Sequence, residues 1–141
     1  MRYLITLIFC GLVAFAPLAR ADLVLVANPQ SGIERLTQDE VVNIYLGRYR
    51  RLTSGIVAEP VDLADESELR ARFYRSLVNK SLAEITAHWA RLVVSGKTRP
   101  PQPVGNVEAA LQYVSAKPGG LAYLERSQAD RRVRIVFEFG E

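Results

Sequence analysis

Cysteine is almost missing from this chain: Cys10 is the only one, and it lies inside an apolar run close to the N-terminus. A chain that loses that segment has no disulfide and no thiol chemistry, so its core must hold by packing alone. Histidine is equally scarce. His88 stands alone beside Trp89, which excludes a histidine-rich metal cluster and fits a packed or surface residue. No Gly-x-Ser-x-Gly nucleophile elbow occurs. Gly119-Gly120 leads into an apolar run of strand type, not into a helix, so no phosphate-cradling glycine loop is present either. Lysine is limited to Lys80, Lys97 and Lys117, and the other basic residues are arginines, which suit planar recognition of oxyanions. Asp65 and Glu66 are an acidic pair, but charge at a helix start accounts for them. With no nucleophile–base pair, the sequence gives no support to an enzyme and calls for no cofactor or metal.

What is present at the N-terminus is an address. Arg2 precedes the apolar run from Leu4 to Phe15, and Ala19-Arg20-Ala21 places small residues where a signal peptidase reads. The expected division is a signal peptide over residues 1–21, cleaved after Ala21, and one domain over 22–141. The run is shorter than the roughly 20 apolar residues of a bilayer span, so no stable membrane span is expected after processing. The expected location is the periplasm or outside the cell. Processing removes Arg2 and Arg20 from the 18 basic residues, leaving 16 against 15 acidic, a net charge of +1. Nucleic acid thereby loses its electrostatic support as a partner.

Leu23 to Ala27 is continuously apolar and predicts a buried central strand, closed by turn residues Asn28 to Gly32. Thr37 with Glu40 forms a capping box for a helix burying Val41, Ile44 and Tyr45 and stopping near Gly47. Ile56 to Leu63 predicts a short strand despite Pro60. A second helix opens at or near Ser67 with Leu69, Phe73, Tyr74 and Leu77 as its buried stripe. Ser81 with Glu84 opens a third helix with Leu82, Ile85, Trp89, Leu92 and Val93 inside. Lys97 to Val104, with three prolines, predicts an extended loop. Asn106 caps a helix burying Val107, Ala110, Leu111 and Val114. Leu121–Leu124 and Arg132–Phe139 predict two strands, the second with Val133, Ile135, Phe137 and Phe139 on one face. The order β-α-β-α-α-α-β-β indicates a single α/β domain with a mixed sheet flanked by helices.

Two loops are candidate ligand sites. The strand–acidic loop–helix stretch from Ile56 to Leu77 aims the first N–H groups of a helix at one spot, with Asp65, the hydroxyl of Ser67 and the first-turn Arg70 beside them. The Asn28–Gly32 loop, with Asn28 and Ser31, leaves the C-terminal end of the first strand, where α/β sheets often gather ligands.

Several segments together resemble a known family. Leu23–Pro29, then Leu36-Thr37-Gln38-Asp39-Glu40 with Ile44-Tyr45-Leu46-Gly47-Arg48, resemble the opening strand and first helix of one lobe of the phosphate ABC transporter substrate-binding proteins. These are type 2 periplasmic binding proteins. Gly105-Asn106-Val107-Glu108, Val114, Pro118-Gly119 and Leu121-Ala122-Tyr123-Leu124-Glu125 are similar to the end of that lobe in both order and spacing. The resemblance implies a single-lobe, stand-alone form of the fold and a small anion such as phosphate as ligand. It also places the family's Arg-Ser-Asp-Gly-Ser-Gly-Thr anion motif on Leu63–Leu69, where Asp65 and Ser67 match while Leu63, Glu66, Glu68 and Leu69 differ. Each added carboxylate repels an anion by about 1 kcal/mol at a watery 4 Å. Two functions stay open: weak or partner-dependent anion binding, and an envelope protein–protein interaction module that kept the fold and lost the ligand site.

Overall fold

A computed structural model of the chain describes residues 22–64 and 67–140. The expected leader over 1–21, its cleavage point after Ala21 and the candidate residue Asp65 lie outside the described residues.

Five strands form one mixed sheet in the order β3-β2-β4-β1-β5. They are β1 (Leu23–Ala27), β2 (Glu59–Leu63), β3 (Gln102–Val104), β4 (Gly120–Glu125) and β5 (Arg134–Glu138). The helices are α1 (Gln38–Tyr45), α2 (Glu68–Val78), α3 (Leu82–Ser95) and α4 (Val107–Ala116). β1 pairs antiparallel with both β4 and β5, and all five of its residues are buried, as a continuous apolar run requires of a central strand. β2 runs parallel to β3 and β4.

The helix starts follow their sequence signals. Thr37 and Ser81 accept from the amides of Glu40 and Glu84, and each glutamate reaches back to the cap amide. Asn106 caps α4 through Ala109 N. Gly47 follows α1 with φ +83, and a Cβ there would meet the Trp89 ring at 2.6 Å. Glycine is therefore required both by conformation and by close approach. His88 is half-buried, and its Nε2 lies 2.9 Å from the Leu46 carbonyl, so that nitrogen donates to the end of α1.

Three expectations are corrected. Lys97–Val104 is not loop throughout: it ends in β3, an edge strand where Pro103 is tolerated because its missing N–H costs no central ladder bond. On β5 the expected face is displaced. The register against β1 shifts between Leu25 and Val26, so Val136 becomes an extra residue between Phe137 and Ile135. Val136 is the buried one, and its carbonyl accepts from Leu36 N at 2.8 Å, while Val133, Ile135, Phe137 and Phe139 are half-buried. On α2, Leu69 is only half-buried and Arg70 takes the inward position; on α3, Val93 is exposed.

An aromatic stack fixes α1 and α2 on the sheet. Phe73 of α2 lies 4.0 Å from Tyr123 of β4 with the rings nearly parallel, and Tyr45 of α1 meets Phe73 edge-on at 4.8 Å. Such pairs add about 0.5–1.5 kcal/mol beyond the area they bury.

Candidate functional site

β2 gives out at Leu63 and α2 begins five residues later, with Ser67 as its cap. Ser67 Oγ accepts from Arg70 N at 3.4 Å and Ser67 O accepts from Ala71 N, so the third and fourth amides of the turn are used internally. The Glu68 and Leu69 amides precede any carbonyl that the helix could offer them, and they point out of its N-terminus. Glu68 places a carboxylate on the same turn.

Directly behind this turn lies a buried carboxylate that the sequence reading did not single out. Asp62 of β2 is only 7 % exposed. Its Oδ2 lies 3.1 Å from Arg70 Nε and accepts from the Tyr74 hydroxyl at 2.8 Å. Its Oδ1 accepts from the Tyr123 hydroxyl. The Arg70 guanidinium also lies over the Tyr74 ring, 5.5 Å from its centroid. Burial acts against the Arg70 charge, but the Asp62 carboxylate outweighs it and the guanidinium pKa is raised. Burial, reinforced by the Asp62 charge, pushes the Tyr74 and Tyr123 hydroxyls far above the usual phenol value. At this point the protein supplies its own oxyanion, and Arg70 with two tyrosines forms its shell.

The tyrosines do a second job. The β2–β4 pairing covers Glu59 and Pro60. Beyond it the Tyr123 hydroxyl accepts from Leu63 N at 2.9 Å, and the Tyr45 hydroxyl donates to Val61 O at 3.1 Å. Side-chain oxygens thus satisfy backbone groups that the ladder leaves open. A cleft of about 440 Å³ adjoins the cluster, with Asp62, Arg70, Trp89 and Pro100–Pro103 in its mostly apolar wall.

The other two sequence candidates do not join this site. β1 is antiparallel to β4, and β2 is parallel to β4, so the C-terminal end of β1 lies beside the start of β2. The Asn28–Gly32 loop therefore sits at the opposite end of the sheet from Ser67 and Arg70. Asn28 is buried and fully engaged: Nδ2 donates to Val114 O at 2.9 Å and to Ser115 O at 3.3 Å, and Oδ1 accepts from Gln30 N. Ser31 is buried too, and its Oγ accepts from Ile33 N. These contacts tie the end of β1 to the end of α4. Asp62 carried one legible signal, an acid flanked by the apolar Val61 and Leu63 in a predicted strand; its partners Tyr74 and Tyr123 read only as core.

Among the described residues, no group of three or more His, Cys, Asp or Glu side chains is placed to hold a metal ion. No described helix is long and apolar enough to cross a membrane.

No protein-family model matches the sequence, and no curated protein does. Solved structures do match. A putative phosphate ABC transporter substrate-binding protein from Clostridium perfringens, crystallised with bound phosphate, aligns with a TM-score of 0.66 at 18% identity. That alignment covers 82% of this chain and 44% of that one. An ABC-type phosphate transport receptor from Vibrio cholerae aligns at 0.65 and 14% identity, over 82% of this chain and 45% of that one. PstS from Borrelia burgdorferi aligns at 0.65 and 14% identity, over 83% and 47%. This chain spans less than half the length of each. What is shared is the fold: a five-stranded mixed sheet with four helices, matching one lobe of these proteins.

Proposed function

We propose that the chain is an exported, substrate-binding-type domain related to phosphate-transporter binding proteins, holding a small oxyanion at the β2–α2 junction. It works as a binding module and not as an enzyme. The observation that carries this reading is the placement of the Ser67-capped start of α2 at the end of a parallel strand, in a fold shared with a lobe of a protein crystallised with phosphate. A helix N-terminus favours anions through its unpaired N–H groups and its dipole. Asp65 and Ser67 are the motif residues retained there, and the Glu68 and Leu69 amides supply the donors. Binding at one wall leaves the anion wet, where each hydrogen bond contributes about 0.5–1.5 kcal/mol. Affinity is therefore weak unless a partner supplies the second wall.

One observation favours a second reading, an envelope protein–protein interaction module without a small ligand. The Arg70 guanidinium, the charge best placed to hold an anion, already faces the Asp62 carboxylate. Calorimetric titration with phosphate, sulfate and small carboxylates separates the two. Saturable heat at millimolar ligand that weakens in Ser67→Ala supports anion binding. Absence of heat with every ligand rejects it and leaves the interaction module.

A further inference from the structure

A cleft of about 660 Å³ lies away from the β2–α2 junction. It opens where β2 begins, at Val57–Pro60, and is closed by the Gly96–Pro100 strap and by Tyr113 of α4. Its charge is lopsided: Arg50, Lys97 and Arg99 stand against the single carboxylate of Glu59.

Arg50 Nη2 donates to the Arg99 carbonyl at 2.6 Å, which brings two arginines of like charge into the same wall. Arg50 Nε is buried and meets no acceptor among the described residues. No carboxylate lies within ion-pair distance of Arg50, Lys97 or Arg99 among those residues, whereas Arg126 and Arg132 each bind two. Burial pulls the Arg50 guanidinium pKa down, and the Arg99 charge adds to that. A half-buried, uncompensated charge of this kind costs stability unless something neutralises it. Glu59 and Tyr113 are two further polar groups of the wall. Burial raises the Tyr113 hydroxyl pKa and the nearby Glu59 charge raises it further, so phenol and carboxylate share one part of the wall.

From this arrangement we infer a ligand site for a hydroxyl-bearing phosphomonoester: Arg50, Lys97 and Arg99 hold the phosphate, and Glu59 and Tyr113 accept from the hydroxyls. Guanidinium groups match a phosphate in geometry as well as charge. The cleft volume falls in the 300–1,000 Å³ range of small-molecule sites and is far larger than inorganic phosphate needs. Glu59 opposes a bare anion but suits a molecule with an anionic head and a neutral, hydroxylated body. The site shares no residue with the junction and stands whether or not the junction binds anything.

Titration of the purified protein with glucose 6-phosphate, and with glucose as control, tests the inference. Saturable binding of the phosphate ester with no binding of glucose is expected. Lys97→Gln/Arg99→Gln, two exposed side chains whose loss leaves the Arg99 carbonyl in place, should weaken it roughly tenfold or more. Ser67→Ala should leave it unchanged. Absence of saturation at millimolar ester, equal affinity in the double variant, or loss in Ser67→Ala would each overturn the assignment.

Discussion

Asp62 and Arg70 face each other at 3.1 Å across the β2–α2 junction, eight positions apart in sequence and both largely buried. One belongs to the strand and the other to the first turn of the helix, so the pair couples the two elements that shape the candidate site. The carboxylate also takes hydroxyl hydrogen bonds from Tyr74 and Tyr123. A charge satisfied this completely is stable only while all its partners remain.

Removing one member should therefore be severe. Asp62→Ala removes the buried carboxylate that Arg70, Tyr74 and Tyr123 share and should destabilise the fold by about 3–5 kcal/mol in urea denaturation. The Asp62→Ala/Arg70→Ala double variant should cost less than the two single changes together, by about 0.5–3 kcal/mol. Additive losses would show that the pair is not coupled.

The same cluster governs behaviour in alkali. Burial, with the Asp62 charge second, raises the hydroxyls of Tyr45, Tyr74 and Tyr123. A raised folded value means that their contribution to stability is complete below the unfolded tyrosine value of about 10 and is lost as pH rises above it. Phenolate absorbance should show these three tyrosines un-ionised until the protein unfolds, with stability falling above about pH 10. Smooth titration of every tyrosine in the folded state would contradict this.

Acid acts elsewhere. Hydrogen bonds from the Ser81 amide and hydroxyl hold Glu84 below the usual carboxylate range, and Arg132 does the same for Glu108 and Asp130. Depressed values give stability that is present above the unfolded carboxylate range, about pH 4, and lost as pH falls through the folded values. Thermal unfolding should shift downward below about pH 4, and less so in Arg132→Gln.

Gly119 precedes β4 where the chain passes β2, and a Cβ there would lie 2.0 Å from the Val57 carbonyl oxygen. Backbone cannot yield as a flexible side chain can. Gly119→Ala should cost at least about 1–3 kcal/mol by denaturant unfolding, whereas Gly55→Ala, which meets nothing, should report only the strain of its positive φ.

Local signals carried most of the architecture. Capping boxes at Thr37 and Ser81, the asparagine cap at Asn106 and the apolar run of β1 are short-range patterns, and all are found in place. What escaped depends on long-range register. The bulge that turns Val136 inward is set by pairing with β1, and β3 exists because β2 offers it an edge. Asp62 meets Tyr123 from 61 positions away, which no local pattern announces. The separation of Asn28 and Ser31 from Ser67 follows from strand direction, which periodicity does not encode.

The oxyanion site proposed at the start of α2 is tested most directly by amide chemical shifts during phosphate titration. The Glu68 and Leu69 amides should move most, saturate in the millimolar range and stop responding in Ser67→Ala. Phosphate that leaves those two amides unmoved while saturating other residues, or that moves none at all, would contradict it.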